Sequence, residues 1–562
     1  MRRYPVLRFF IAVSFVAFII GTIFFINYSI KPEPVIDSIV PSVGTPGDVI
    51  LINGKHFGEV RDMNYVEFAG SRITASSFIS WSDNCIKLVL PANVQDGLVV
   101  VGVKDKRSNP ALFANDVDIP VPVSVVQQVS KPVITDLSSE EVSVGQLLVI
   151  NGNNFGEARN QSRVLFTIDY NNKIEEAEYK NISMLTENMV SASEDSYEYL
   201  AWSNTQIAVC VPDGACSGVL VVDNGLEQSE PVAIKINQTV GKKQYTNKKI
   251  YLLQYSADIA EIVANEASTI TLRCPIPLTT AYQPEVEITE TVPAPILVNY
   301  QNNLIQQITK NKSYQPKTVF TQTFVLHSYE VKSQVNAELV GVARKDNDVE
   351  QRFVLKALAQ EKEVPSGNEA VLKLAEEICG KEKNQYKKAR LIYDYMCNNF
   401  GILEKVRKND ADPLDLLKKK KGDAYDFAVI YTALLRAAGV PCYTDAGILV
   451  NQDLMTQNHW WCEFYVDKVG WLPVDPALGA GLEYKKWTDG GIEDEKDFYF
   501  GNMDSHHIIF SRGWNDSKPF SADNKIVQQP RSFALQSIWE EASSSTIKYS
   551  SYWSVPVVKG VY

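Results

Sequence analysis

The chain has 562 residues, of which 45% are hydrophobic and 22% charged, and its formal net charge is −12. A domain commonly holds about 100–200 residues, so roughly three to five folded units are expected. The acidic balance argues against nucleic acid as a partner, because Lys and Arg supply most of the affinity for phosphates. The sequence has no P-loop, EF-hand loop or G-x-G-x-x-G fingerprint, and it therefore implies no cofactor.

The eight cysteines are scattered and form no C-x-x-C pair, which argues against a zinc ribbon or a thioredoxin-like redox site. Cys210 and Cys216 flank a short turn, and the sequence fits equally a disulfide outside the cytoplasm or two separate thiols. The adjacent His506 and His507 are expected to be structural, so no metal site is predicted.

The N-terminus predicts a membrane anchor. Arg2, Arg3 and Arg8 precede an uncharged, mostly apolar run over residues 9–30, and about 20 helical residues span a bilayer. Arginines on the N-terminal side place that end in the cytoplasm. The run is long for a signal peptide and lacks a small-residue cleavage site, so an uncleaved anchor over residues 1–30 is favoured over a cleaved one. Either way, the bulk of the chain is expected outside the cytoplasm, in the periplasm or the extracellular space.

A duplicated pattern follows the anchor. Residues 34–58 read P-V-I, then V-I-L-I-N-G, then x-F-G, and residues 132–156 repeat this pattern 98 positions later. Trp81 and Trp202 also correspond, at an offset of 121, which indicates an insertion of about 23 residues in the second copy. Short β-branched runs between Gly, Asn and Pro turn signals are typical of small antiparallel sandwiches.

These motifs resemble the IPT/TIG family of immunoglobulin-like domains, with boundaries at residues 33–123 and 131–236. The resemblance implies a spacer, an adhesion module or a polysaccharide-binding partner, and no catalytic residue. Trp81 and Trp202 could stack on sugars, but both recur near a strand start and are expected to be packing residues.

Residues 245–363 are predicted to form a further β-domain, since alternation is clear over residues 249–253 and 319–328. From about residue 366 the hydrophobic period changes to 3.6, which predicts an α+β domain over residues 366–520 and leaves residues 521–562 as a C-terminal extension. A core helix is predicted from Ala424 to Ala438, ended by Gly439.

Four blocks in the α+β region resemble the transglutaminase-like superfamily, and this resemblance implies a papain/transglutaminase-like core. In the family, a cysteine begins the core helix, a histidine takes its proton and an aspartate orients the histidine. The resemblance assigns the second and third roles to His459 and Asp475, while Ala424 stands at the nucleophile position. The blocks are G-D-A-Y-D-F-A at 422–428, L-R-A-A-G-V-P at 435–441, H-W-W-C-E at 459–463 and G-W-L-P-V-D-P at 470–476.

A methyl group neither ionises nor attacks a carbonyl, so Ala424 removes the thiolate chemistry of the family. Cys462 is an implausible substitute, because an odd spacing from His459 on a strand places the two side chains on opposite faces. Cys442 lies beyond the far end of the core helix. The sequence leaves open whether Ala424 is the native residue.

Three hypotheses follow for this multidomain chain. The first is a non-catalytic binding or scaffold pseudoenzyme at the cell surface, with a protein, peptide or polysaccharide as partner and Trp460, Trp471 and Tyr425 as binding residues. The alternative is a cysteine-protease-like hydrolase or acyl transferase that uses an unrecognised nucleophile or a partner's thiol. The third is a structural stalk.

Overall fold

The structure is a computed structural model. It describes residues 32–562 except 92–93, 95–96, 105, 116–130, 160–161, 175–184, 194–197, 311–316, 342–351, 486 and 488–491. The predicted anchor over residues 1–30 lies outside the described residues. Across the part that the structure describes, none of the helices has both the length and the apolar character needed to span a bilayer.

The first module is a sandwich of two sheets, as the alternation of its strands predicts. One sheet has the strand order β1-β3-β7-β6, and the other has β2-β10-β8-β4-β5 with β9 beside β8. Ile50, Ile52, Val99 and Val101 are buried between them. The strands are β1 Val35–Val40, β2 Val43–Gly44, β3 Val49–Lys55, β4 Tyr65–Phe68, β5 Ser71–Arg72, β6 Phe78–Trp81, β7 Cys85–Val89, β8 Gly97–Val103, β9 Lys106–Arg107 and β10 Ala111–Asn115.

The second module repeats this plan, with strand orders β11-β13-β17-β16 and β12-β19-β18-β14-β15. The predicted insertion lies between β14 and β16, where residues 168–198 replace the shorter segment 69–77 of the first module. The strands are β11 Val133–Leu137, β12 Glu141–Val142, β13 Leu147–Asn153, β14 Arg163–Thr167, β15 Met189–Ser191, β16 Tyr199–Trp202, β17 Gln206–Cys210, β18 Gly218–Asp223 and β19 Val232–Ile236.

The repeated tryptophans have the same packing role in both modules. The indole nitrogen of Trp81 donates to the carbonyl of Phe57 at 2.9 Å, and that of Trp202 donates to the carbonyl of Phe155 at 3.1 Å. Each bond connects the end of a strand to the x-F-G turn of the same module. Trp202 is buried and Trp81 is partly buried. In the second module, Cys210 and Cys216 are not joined by a disulfide.

A third region contains two long strands that pair from Gly241 opposite Val335 to Ile259 opposite Thr318. Alternate residues from Tyr251 to Ile259 are buried, so the predicted one-sided sheet is present. The strands are β20 Gly241–Ala264, β21 Ser268–Pro275, β22 Val286–Val292, β23 Asn303–Lys310 and β24 Thr318–Val335. Residues 352–358, predicted to belong to this β-rich segment, instead form a helix, because F-V-L-K-A-L lacks strand alternation and consists mostly of good helix formers.

Strands from residues 521–562 complete both sheets of the third region. The sheet orders are β22-β24-β20-β33, with β34 also on β20, and β23-β21-β32-β31. The C-terminal extension therefore folds with the third region. Its strands are β31 Lys525–Val527, β32 Glu540–Ala542, β33 Thr546–Trp553 and β34 Val557–Val561.

The α+β body, residues 352–512, packs helices against an antiparallel sheet of order β29-β28-β27-β30. The predicted core helix is present as α5, and it is buried along almost its whole length. The elements are α1 Arg352–Leu358, α2 Glu369–Cys379, α3 Gln385–Asn399, β25 Gly401–Ile402, α4 Asp415–Lys419, β26 Lys421–Gly422, α5 Ala424–Ala437, β27 Cys442–Val450, β28 Thr456–Val466, β29 Gly470–Val474, α6 Pro476–Gly479, α7 Glu495–Phe498 and β30 His507–Arg512.

Both modules contact the rest of the chain. Asp213 of the second module accepts hydrogen bonds from Lys243 and, at 3.3 Å, from the backbone nitrogen of Trp471. In the first module, Gly70 has a φ of +86° and a Cβ there would lie 2.5 Å from the carbonyl oxygen of Asn299. Only glycine fits this close approach without strain.

Candidate functional site

His459 and Asp475 form a buried hydrogen-bonded dyad. His459 lies on β28, and Asp475 follows β29 as the N-cap of α6. The Nε2 atom of His459 is 2.5 Å from Oδ2 of Asp475. The second oxygen, Oδ1, accepts from the backbone nitrogens of Ala477 and Leu478, each at 2.9 Å. The start of α6 thus fixes one carboxylate oxygen and directs the other at the imidazole.

A second histidine joins the dyad. The Nε2 atom of His507 is 3.2 Å from Oδ2 of Asp475, and its Nδ1 is 2.8 Å from Oδ1 of Asp504. The Tyr499 hydroxyl donates to the other Asp504 oxygen at 2.8 Å and lies 3.1 Å from the Tyr484 hydroxyl. Sequence reasoning missed this extension, because His507 lies 32 residues after Asp475 and only its position in a pair of histidines marks it.

The charges in this cluster stabilise one another. Burial alone would raise the pKa of Asp475, but His459 and His507 outweigh it and hold that pKa well below its usual range. Burial would likewise raise the pKa of Asp504, and His507 and His506 overcome this effect. For His507, burial favours the neutral ring, yet Asp504 and Asp475 raise its pKa to about 9.

The same three side chains have the composition of a metal site, since ligand-type atoms of His459, Asp475 and His507 lie within 4.8 Å of one another. Metal bonds of about 2.0–2.2 Å keep neighbouring ligand atoms roughly 3 Å apart or more. The separation of 2.5 Å between His459 and Asp475 is too short for ligands around an ion and fits a hydrogen bond. His459, Asp475 and His507 therefore form a hydrogen-bonded cluster.

Ala424 is the first residue of α5, and the residue is 6% exposed. Asp423 caps the helix, because its side chain accepts from the backbone nitrogen of Asp426 at 3.0 Å and the Asp426 side chain accepts from that of Asp423 at 3.1 Å. This reciprocal pair satisfies two backbone groups at the helix start. The side chain of Ala424 offers no polar atom.

Two arginines neutralise these aspartates. Arg531 donates to both oxygens of Asp423, at 2.7 and 2.8 Å, and to Asp426 at 2.7 Å. Arg407 donates to the second oxygen of Asp426, also at 2.7 Å. Burial and the charge of Asp423 nevertheless raise the pKa of Asp426. No sequence signal pointed to Arg531, which is 108 residues from Asp423.

Comparison with protein-family models assigns two parts of the chain. Residues 372–476 match the transglutaminase-like superfamily model, and this match covers α5, His459 and Asp475. The chain carries a transglutaminase-like domain. Residues 34–114 match the IPT/TIG domain model. The predicted fold class is confirmed to this extent, with β-sandwich sheets preceding an α+β transglutaminase-like core.

Individual relatives match limited parts of the chain. A protein from Haemophilus influenzae, named only as uncharacterized, is 26% identical over 177 residues, covering 27% of this chain and 47% of that protein. A cyclomaltodextrin glucanotransferase from Paenibacillus macerans is 28% identical over 123 residues, covering 22% of this chain and 16% of that enzyme. The chain thus spans less than half the length of each of these relatives.

Solved structures show a distant likeness. A protein from Cytophaga hutchinsonii, described as a candidate cysteine protease, is 14% identical with a TM-score of 0.36, covering 57% of this chain and 92% of that one. The periplasmic domain of TgpA from Pseudomonas aeruginosa is 14% identical with a TM-score of 0.24, covering 41% and 87%.

Two of the predicted binding residues meet at the core helix of the transglutaminase-like domain. The rings of Tyr425 and Trp460 pack edge to face with centroids 5.5 Å apart, so the residues that follow Ala424 and His459 join the helix start to β28. The Arg531 guanidinium lies 4.3 Å from the centre of the Tyr425 ring. Trp460 is fully buried and Tyr425 is 5% exposed, so both rings pack within the domain.

Trp471 lies elsewhere in the domain. Its ring packs against Tyr443 and Tyr465, with centroid distances of 4.9 and 5.3 Å. It lines a pocket at the boundary with the second module, together with Asp213 and Glu198. Burial raises the pKa of Glu198 to about 8. The structure therefore does not bring Trp471 to the His459–Asp475 dyad.

Two thiols of the domain contact backbone carbonyls. Cys462 donates to the carbonyl of Ala428 at 3.2 Å, and burial and Cys442 raise its pKa well above the usual value. Cys397 is 3.9 Å from the carbonyl of Pro476, and burial raises its pKa to about 12. A high pKa keeps a thiol protonated and weakly nucleophilic.

Proposed function

We propose that the chain is a membrane-anchored, extracytoplasmic transglutaminase-like protein that performs no catalysis and acts as a binding or scaffold protein at the cell surface. The supporting observation is the state of His459. Its Nε2 is bonded to Asp475, while its Nδ1 is buried with no hydrogen-bond partner among the described residues. Because the nucleophile position is Ala424, this nitrogen has no thiol to deprotonate.

The other thiols do not replace the missing one. Cys462 and Cys397 have raised pKa values and point to backbone carbonyls, so neither supplies a thiolate at neutral pH. Proton transfer also requires the donor to lie within hydrogen-bond reach of the base. The alternative of a hydrolase or acyl transferase would need a nucleophile other than these two thiols.

The burial of the dyad favours a scaffold over ligand binding at the former reaction centre. His459, Asp475 and Trp460 have no exposed surface, and Ala424 is 6% exposed. A ligand would have to displace packed side chains to touch them. A protein, peptide or polysaccharide partner would therefore bind outer surfaces of the modules or of the transglutaminase-like domain. The anchor and the compartment rest on the sequence of residues 1–30.

Activity assays on the full chain test the proposal. We expect no amide hydrolysis and no amine incorporation above the level of the His459→Ala variant. The Ala424→Cys variant, which restores the family's nucleophile, serves as the matched comparison, and its labelling by a thiol-directed electrophile reports whether the restored group is reachable. Turnover by the unmodified chain that His459→Ala abolishes would overturn the proposal and favour the hydrolase or acyl transferase.

A further inference from the structure

His507 lies between two carboxylates and contacts one with each ring nitrogen. Its Nε2 is 3.2 Å from Asp475 and its Nδ1 is 2.8 Å from Asp504. All three side chains are at least nine-tenths buried. Two further titratable groups have rings near that of His507, namely His459 on β28, with ring centroids 5.4 Å apart, and Tyr499 after α7, at 6.0 Å; the neighbouring His506 also acts on Asp504.

The proton positions follow from the types of group. An ionised carboxylate only accepts hydrogen bonds, so each ring nitrogen that faces one must carry a proton. The pKa values of Asp475 and Asp504 are both held low, which keeps these two groups ionised at neutral pH. His507 is therefore an imidazolium, in agreement with the raised pKa of about 9.

We propose that His507 is a positioning residue, which holds the Asp475 carboxylate in place with one ring nitrogen while Asp504 anchors the other. The held carboxylate then accepts from Nε2 of His459 and keeps the lone pair of His459 on Nδ1. This inference rests on the proposed function only in treating His459 and Asp475 as the remnant of the family's site. It explains the position of the Asp475 carboxylate, because its Oδ2 atom is bonded to both His459 and His507.

Histidine-selective ¹⁵N NMR on the full chain, in detergent micelles, tests the inference. The sequence has only five histidines, so each ring can be assigned by substitution. We expect both ring nitrogens of His507 to carry protons at pH 7.5 and to titrate near pH 9, and His459 to show the tautomer protonated on Nε2. Titration of His507 near its ordinary pKa of about 6.5 would overturn the proposal.

Two variants sharpen the test. The His507→Gln variant replaces the ring with a neutral amide donor, and we expect the ring signals of His459 to shift. The matched control is His327→Gln, which removes a partly exposed histidine paired with Glu285. This control should leave the ring signals of His459 unchanged. Asp504→Asn should lower the pKa of His507 by at least about one unit, since one of its two counter-charges is removed. Unchanged His459 signals in folded His507→Gln would contradict the proposal.

The two proposals fail separately. If His507→Gln does not fold, the titration of the unmodified chain still decides the protonation of His507. Signals of His459 and His507 that move on addition of a chelator would indicate a bound metal and overturn the hydrogen-bonded arrangement. None of these measurements depends on turnover, so activity in the unmodified chain would overturn the proposed function and leave the role of His507 standing.

Discussion

The two ends of the candidate site differ in the polar side chains that each contains. At the dyad, His459, Asp475 and His507 form a hydrogen-bonded cluster that also includes Asp504. At the start of α5, the helix cap and its arginine partners are complete, but Ala424 offers only a methyl group. The comparison teaches that the charged side chains at both ends are held by hydrogen bonds and ion pairs within the structure. The side chain of Ala424 has no polar group that needs a partner.

The largest expected effect lies at the helix start. Arg531→Met should lower the free energy of unfolding by about 3 kcal/mol, because it leaves Asp423 without its paired cation and Asp426 with Arg407 alone. Chemical denaturation followed by the fluorescence of the buried tryptophans would measure this loss. The exposed Lys548→Met is the control in the same C-terminal segment. A loss below about 1 kcal/mol would show that the pairing is not needed there.

The second effect is a pH dependence at the dyad. The pKa of folded His507, about 9, lies above the ordinary value of about 6.5, so the folded state binds this proton more tightly. The stabilisation that this proton gives the folded state is complete below about pH 6.5 and is lost as the pH rises to about 9. The free energy of unfolding should fall by about 3 kcal/mol over this range. Unfolding measured across this range should show the slope in the unmodified chain and a flatter profile in His507→Gln. Equal slopes in both would assign the dependence to other groups.

The depressed pKa values of Asp475 and Asp504 act in the opposite direction. Their contribution is complete above the ordinary carboxyl value of about 4 and is lost as the pH falls below it. The contributions of His507, Asp475 and Asp504 are therefore all complete between about pH 4 and 6.5. Asp504→Asn should reduce the acid-side loss when unfolding is measured from pH 5 downward. An unchanged acid limb in this variant would show that Asp504 is not the group responsible.

The smallest effect is a gain. The unpartnered Nδ1 of His459 is a buried acceptor, and such a group costs about 1–3 kcal/mol. Ala424→Ser supplies a hydroxyl at the family's nucleophile position, so we expect a gain of about 1 kcal/mol in the free energy of unfolding. Ala428→Ser, one turn further along the buried helix α5, is the matched control and should destabilise. Equal losses in both variants would show that the position of Ala424 does not serve His459.

Local signals in the sequence predicted the core helix and the dyad. The predicted helix over residues 424–438 is observed as Ala424–Ala437, because Gly439 and the capping Asp423 mark its ends within a few residues. His459 lies on β28 and Asp475 directly follows the adjacent β29, and both stand in the short motifs that carry the family resemblance. Both predictions depended on residues that are close in sequence or in one sheet.

Contacts between distant segments escaped prediction. Arg531 reaches α5 from 108 residues away, and no periodicity encodes which cation will pair with Asp423. His507 is the first residue of β30, and the sequence does not specify which strand β30 will pair with. Trp471 lies opposite Tyr465 in the strand register, and its ring packs in the aromatic cluster there and not at the dyad. Motifs identify residue types, whereas the tertiary path decides their neighbours.

The pairing of β33 with β20 constrains the order in which the molecule can form. Ala257 is paired with Trp553, so this edge of the sheet stays open until about 300 further residues have been synthesised. The two modules before it contain their own strand partners and are able to fold as they emerge. An unpaired edge that waits so long is exposed to pairing with other chains while the rest of the molecule is synthesised.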